Sequence, residues 1–315
     1  MNSVFIAITM DCEPTTATSH HSATGPSDFA MSERAITGYF EIAASYGWPV
    51  TFFVHPETIQ VQADLFKDLA SRGATIGLHV HPWKYGQSRH NGTRYMGHFG
   101  QFSYEAQLRL LTETAALWHD AMGEAPLYVR PGTFSASDAT FRAAAAAGFR
   151  GGSFSAPGRV FREIYAVWTG SDPDPHRAHS EFRLRPGAMD LVDMPLTVDL
   201  SQPVDFGQNR FFHADLRPDI DWLGRYGITT RSVVDNIFAQ LVKRMPAVPV
   251  INSVSHNQFE YRNRADATCQ RFLVMLDELS SALARAGLKA EGATIATIAD
   301  KVLAIPPQEE TLHYI

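Results

Sequence analysis

Apolar positions along this chain follow two rhythms. Mostly apolar runs at residues 4–10, 50–54, 74–78, 127–129, 191–195 and 248–254 read as buried strands. Residues 151–155 read as a further strand end. Between them the spacing changes to that of helices. Residues 31–46 place Ile36, Tyr39, Phe40 and Ala43 on one face. Residues 61–71 form a helix closed by Gly73. Ser103 caps a helix reaching Met122, with Glu105 in its first turn favouring the dipole. An alanine-rich helix starts at Ser137 or Asp138 and stops at Gly148, and helices follow over 231–245, 265–286 and 293–303. Strands alternating with helices predict parallel pairing with right-handed crossovers. Roughly six or seven such units suggest a closed or nearly closed (β/α) barrel.

Residues 156–190 carry neither rhythm and contain the turn Asp172-Pro173-Asp174-Pro175. They read as an insertion over the barrel face, within a single domain spanning 1–315. No internal repeat and no low-complexity tract breaks the chain.

In such barrels chemistry sits where strands end. Polar clusters fall there repeatedly: Asp11 and Glu13, His79 and His81, Arg130, Asp193, and His256. On an extended strand end, i and i+2 point the same way. Asp11 and Glu13 could therefore both face the barrel mouth, one binding a metal and the other holding a proton, or one could simply cap the loop that follows. His79 and His81 could chelate one ion through two imidazoles, and zinc favours imidazole and carboxylate ligands. The alternative is two polar residues at a loop start. Cys12 should face away from its neighbours. His55 is the best spare ligand, whereas His20, His21, His90, His98 and His119 read as loop or surface residues. Arg130 could hold a carboxylate by paired hydrogen bonds or make a rim salt bridge. His256 could deliver a proton near neutrality or donate to backbone. Trp83, Tyr85, Tyr95, Phe99, Phe211, Phe212 and Trp222 read as loop aromatics that stack on sugar rings or pack.

Composition narrows the classes. With 315 residues the chain can bury a large core without disulfides, and its two cysteines, Cys12 and Cys269, are unsuited to form one. The net charge of −6 argues against a general nucleic-acid or anionic-membrane binder. No segment approaches the roughly 18 apolar residues of a membrane span. Met1-Asn2-Ser3-Val4 lacks a basic n-region, so the first apolar run is expected to be a core strand, not a signal peptide. A soluble cytoplasmic protein is the expectation, with a homo-oligomer compatible.

The ordered set of motifs resembles the polysaccharide deacetylase family, the NodB-homology group of metal-dependent carbohydrate esterases. The segments that carry the likeness are Ile8-Thr9-Met10-Asp11-Cys12-Glu13, Gly77-Leu78-His79-Val80-His81-Pro82, Arg130-Pro131-Gly132-Thr133-Phe134, Val192-Asp193-Met194-Pro195 and Val254-Ser255-His256. The resemblance implies a distorted (β/α)7 barrel that removes an acetyl or formyl group from an amide nitrogen of an amino sugar or related carbohydrate. It implies one divalent ion, zinc by preference, on Glu13, His79 and His81. Asp11 would then be the general base, Arg130 its orienting partner, and His256 the acid for the leaving amine. The sequence departs from the family pattern in two places: Cys12 stands where a second adjacent aspartate is usual, and only Val80 separates the histidines. An intracellular precursor, such as a nucleotide sugar or a lipopolysaccharide intermediate, fits as substrate.

Two rivals remain. One is an amidohydrolase-like hydrolase of cyclic amides, in which His-x-His also ends a strand, though usually the first. The other is a catalytically inactive carbohydrate-binding barrel, against which the joint presence of Asp11 and His256 speaks.

Overall fold

The computed structural model describes residues 2–16, 24–85 and 95–307. Strand β1, Ser3–Cys12, is the hub of its main sheet. Along its first half it pairs in parallel with Val250–Asn252 and Lys289–Gly292. Along its second half it pairs in parallel with Ser255–His256 and with β2, Val50–Val54. The sheet continues through β3 (Thr75–Val80), β4 (Tyr128–Pro131), β5 (Gly151–Gly152) and Val192–Asp193, all parallel. An antiparallel strand, His176–Arg177, ends it. The result is a curled half-barrel. Its seam is spanned by Asn252, not by a ladder. The Asn252 N–H donates to Thr197 Oγ1 at 2.8 Å, its carbonyl accepts from the Thr197 N–H at 3.1 Å, and its side-chain amide donates to the Pro195 carbonyl at 3.0 Å.

The helices fall where the 3.6-residue rhythm puts them, at Phe29–Ser45, Tyr104–Met122, Thr230–Arg244, Ala267–Ala286 and Ile295–Leu303. Ser103 caps the second of these by accepting from the Ala106 N–H. The helix expected from residue 61 begins at Pro56 instead, because Pro56 fits its first turn and Glu57 suits its positive end. The alanine-rich helix is confined to Thr140–Ala146.

Period-two alternation divides each central strand between two environments. Val4, Ile6, Ile8, Met10 and Cys12 pack outward into the large core beneath the helices. Ala7 faces the other way, into a smaller cluster with Phe53, Tyr128, Val192, Val250 and the helix Ile295–Leu303. That helix plugs one end of the half-barrel with Ile295, Ile298, Ala299 and Val302, all buried. Continuing along the Ala7 face, Thr9, Asp11 and Glu13 come next on β1 and beyond its end, and all are buried. The same parity carries His79 on β3 and Arg130 on β4 toward the mouth.

Residues 197–221 differ from expectation. Val198–Asp205 and Phe211–Asp215 form an antiparallel hairpin, joined by Val160–Phe161 and Ala166–Val167 into a second, four-stranded sheet. The irregular insertion thus supplies two short strands to a hairpin that the sequence did not announce. Pro203 and a register shift after Val198 break its alternation, and its turn passes through left-handed Gly207, Gln208 and Asn209. Phe212 and Trp222, expected as loop aromatics, pack in the core here.

Candidate active site

The mouth of the half-barrel gathers the sequence-selected residues. A cavity of about 170 Å³ is lined by Asp11, Glu13, His81, Arg159, Arg217 and His256, among others. It is smaller than a cavity of about 340 Å³ beside Trp222 and Arg271, yet it alone of the two is lined by Asp11, Glu13, His81 and His256.

Asp11 is fixed from below. Arg130 Nη1 donates to Asp11 Oδ1 at 2.6 Å, and Arg130 Nη2 donates to Thr9 Oγ1 at 2.8 Å. The guanidinium lies 4.3 Å from the centre of the Phe53 ring, on top of the apolar floor. Burial alone would raise the Asp11 pKa, but Arg130, His79 and His256 outweigh it and hold the carboxyl below its usual range. Asp11 is an ionised carboxylate with one oxygen engaged.

Glu13 is the centre of a second cluster. Its Oε1 lies 2.9 Å from His81 Nε2 and 3.3 Å from His79 Nε2. Its Oε2 accepts from Lys84 Nζ at 2.8 Å, and Lys84 also donates to the Thr24 carbonyl at 2.9 Å. Burial opposes the charge on Glu13, but His81, Lys84 and His79 keep its pKa well below normal. Burial takes the His81 pKa down to about 3, against the pull of the Glu13 carboxylate. The peptide of Glu13 is clamped by Asn257, whose Oδ1 accepts from the Glu13 N–H at 2.8 Å and whose amide donates to the Glu13 carbonyl at 3.1 Å. Gly132 lies flat against His81: a Cβ there would sit 2.3 Å from its Nδ1.

Glu13, His79 and His81 form a group that could hold a metal ion, with one ligand atom from each and all three atoms within 4.8 Å of one another. The donor chemistry fits such an ion. His79 Nδ1 faces the Arg130 carbonyl at 2.9 Å, an acceptor, so Nδ1 carries the proton. Nε2 is then the nitrogen that faces the Glu13 carboxylate, so an ion there would find a ring nitrogen and a carboxylate oxygen as ligands. Cys12 stays out of this group, packed in the outer core with its thiol pKa raised by burial and by Asp11 and Glu13.

His256 enters from the strand that pairs with β1, in register with Asp11. Its Nδ1 lies 2.5 Å from Asp219 Oδ2, and Ser255 Oγ donates to Asp219 Oδ1 at 2.6 Å. Burial disfavours its charge, but Asp219, then Asp11 and Glu13, raise its pKa above the ordinary value. It can therefore hold a proton at neutral pH, oriented by a carboxylate.

All six selected residues, Asp11, Glu13, His79, His81, Arg130 and His256, thus meet at one mouth. Asp193 does not join them: it accepts from the Phe154 N–H at 3.0 Å and from Ser155 Oγ at 2.6 Å, pinning the end of β5. His55 is buried against Glu57 and lies outside the Glu13 group. His20, His21 and His90 lie outside the described residues. Tyr85, Tyr95 and Phe99 are buried packing residues. Sequence reasoning missed Lys84, Asp219, Asn257 and Arg159. Lys84 had a signal, since Pro82 begins a helical turn that returns residue 84 to the histidine side. Asn257 follows His256 directly. Asp219 and Arg159 had none, because both come from segments without a periodic pattern.

The polysaccharide deacetylase family model matches residues 24–152, which include both histidines and Arg130 but neither Asp11 and Glu13 nor His256. No curated protein matches the chain. Among solved structures, the fold is similar to that of a protein assigned as a polysaccharide deacetylase from Mycobacterium smegmatis (TM-score 0.57, 14% identity, 99% of this chain and 96% of that one). It is similar to one assigned as a glycoside hydrolase/deacetylase from Parabacteroides distasonis (TM-score 0.62, 12% identity, 95% of this chain and 70% of that one). It is also similar to PuuE allantoinase (TM-score 0.54, 12% identity, 100% of this chain and 93% of that one). At such identities these structures establish a shared half-barrel fold. The resemblance to the polysaccharide deacetylase family, read from the motifs, is borne out.

Proposed function

We propose that this protein is a metal-dependent hydrolase that removes an acetyl or formyl group from an amide nitrogen of an amino sugar or related carbohydrate. One observation carries the reading: an ionised base on Arg130, a Glu-His-His group and a carboxylate-backed imidazole surround the same small cavity. Glu13, His79 and His81 would hold the divalent ion, for which zinc is the best match to the donor set. Such an ion, when bound, polarises the amide carbonyl and acidifies water. Asp11, held ionised by Arg130, accepts the proton of the attacking water. His256, held protonated by Asp219, donates to the departing nitrogen, so that an amine leaves instead of an amide anion. Lys84 fixes the second oxygen of Glu13 and keeps the first turned toward the histidines.

The test is release of acetate or formate from N-acylated amino sugars by the purified protein. Asp11→Asn should abolish release while leaving metal content unchanged. Wild-type protein that releases neither acid from any such sugar defeats the proposal. A second reading, hydrolysis of a cyclic amide, draws support from the likeness to PuuE allantoinase over the whole chain. It predicts ring opening to a single product that keeps both the new carboxylate and the amine, with no acetate or formate released, from the same Asp11 and His256.

A further inference from the structure

The charged groups at the mouth pair off with one left over. Asp11 is matched by Arg130, Glu13 by Lys84, Asp219 by His256, and Asp215 by Arg217, whose Nε donates to Oδ1 at 2.6 Å. Arg159 lines the same cavity and is only 8% exposed. Among the described residues it has no carboxylate within salt-bridge distance. Its one hydrogen bond from the guanidinium runs from Nη1 to the Thr133 carbonyl at 3.2 Å, and its Nε is buried without a partner. An unpaired buried charge is costly, so its retention calls for a reason.

The surroundings hold this cation in place. The guanidinium carbon lies 4.9 Å from the centre of the Phe134 ring and 5.6 Å from that of Phe161. Its backbone is anchored by the Arg159 N–H donating to the Ala156 carbonyl and by the Trp168 N–H donating to its own carbonyl. Thr133 and Phe134, which supply the accepting carbonyl and one ring, both adopt left-handed backbone, at φ 58° and 57°. Two adjacent non-glycine residues in that region store strain of a kind that clusters at ligand sites. Burial, with the neighbouring Arg217, lowers the Arg159 pKa to about 9, which still leaves it charged at neutral pH.

We infer that Arg159 is a specificity residue that pairs with an anionic substituent, a carboxylate or a phosphate, carried by the substrate close to the scissile amide. The inference rests on the hydrolase reading for its substrate and deepens it from any acylated amino sugar to an anionic one. A planar guanidinium with free donors matches either oxyanion by paired hydrogen bonds.

The test compares three probes by calorimetric titration: N-acetylglucosamine, N-acetylmuramic acid, which adds a carboxylate, and N-acetylglucosamine 6-phosphate. The wild type should bind at least one anionic probe about tenfold or more tightly than the neutral sugar, in line with a charge-assisted hydrogen bond. The stronger of the two anions identifies the substituent. Arg159→Met, which keeps an apolar stem between the two rings, should lose that preference, with its affinity for the anionic probe falling to that for the neutral sugar. Arg159→Lys should recover part of it, which a purely structural loss would not. Equal binding of neutral and anionic probes by the wild type, no binding of either anion, or a preference that survives in Arg159→Met overturns the inference. Acid release is followed in parallel. An anion preference without hydrolysis would sink the hydrolase reading but leave the Arg159 site. Hydrolysis of neutral and anionic sugars with the same kcat/KM, in wild type and in Arg159→Met alike, would do the reverse.

Discussion

The inner face of the half-barrel has a floor and a mouth, built by the same strands one or two residue pairs apart. At the floor, Ala7, Phe53 and Tyr128 meet the plug helix Ile295–Leu303 in a dry apolar cluster. At the mouth, Thr9, Asp11, Glu13, His79 and Arg130 meet one another with almost every polar atom engaged. Backbone pairing is continuous between them, so the ladder does not account for the change. The side chains do: parity keeps the inner residues on one face, and residue type switches from apolar to ionic as each strand reaches its C-terminal end. The floor is held by burial, and the mouth by buried ion pairs and hydrogen bonds. Phe53 joins the two, apolar below and under the Arg130 guanidinium above.

The largest effect expected on this comparison is chemical and confined to the mouth. Asp11→Asn should lower kcat by about 10²–10⁴-fold, the usual worth of a positioned base, in the protein that remains folded. A fall in its unfolding midpoint would measure the cost of leaving the buried Arg130 guanidinium underpaired. At the floor the opposite pattern holds. Phe53→Ala should cost about 3–5 kcal/mol of stability in denaturant titration, through lost burial and the cavity left behind. Activity of the still-folded fraction should fall as well, since Arg130 loses its platform.

Lys84→Met tests whether ionic and metal stabilisation are interchangeable at Glu13. Without the ammonium, a buried carboxylate is left underpaired, and the metal-free protein should lose roughly 3–5 kcal/mol. Added zinc should raise the melting temperature of the variant more than that of the wild type, because an ion that binds only the native state stabilises it by mass action. Equal shifts would separate Lys84 from the metal group.

The smallest expected effect is a displacement along pH. The His256 pKa is raised in the folded state, chiefly by Asp219 against the opposing effect of burial. Its acid form therefore persists to higher pH, and kcat/KM should fall as pH rises through that raised value. Asp219→Asn should move this alkaline limb to lower pH. The same sign governs stability. The pair's contribution is fully present below the unfolded pKa, near 6.5, and is lost as pH rises through the folded one. A limb that stays in place in Asp219→Asn would remove His256 from the role of acid.

Much of this mouth was legible in the sequence because it hangs on strong local patterns. Apolar runs marked the strands, and Asp11, Glu13, His79, His81 and Arg130 stand at their ends, where parity alone fixes which residues share a face. Cys12 was assigned to the outer face on the same ground, and the core holds it there. What failed to show was long-range. The hairpin Val198–Asp205 with Phe211–Asp215 has a bulge and Pro203 in place of clean alternation. Asp219 reaches His256 only because that hairpin folds back, and Arg159 reaches the cavity only because residues 160–167 join its sheet. Partners that depend on such pairings leave no trace in local periodicity.

On this reading the mouth separates two jobs, with Glu13, His79 and His81 holding an ion and Asp11 moving a proton. Measuring bound metal and acid release together in Asp11→Asn and His81→Ala separates the two. The wild type should carry about one zinc-like ion per chain. Asp11→Asn should keep that ion and lose acid release, whereas His81→Ala should lose both. Full acid release from metal-free His81→Ala, or loss of the ion in Asp11→Asn, would contradict this reading.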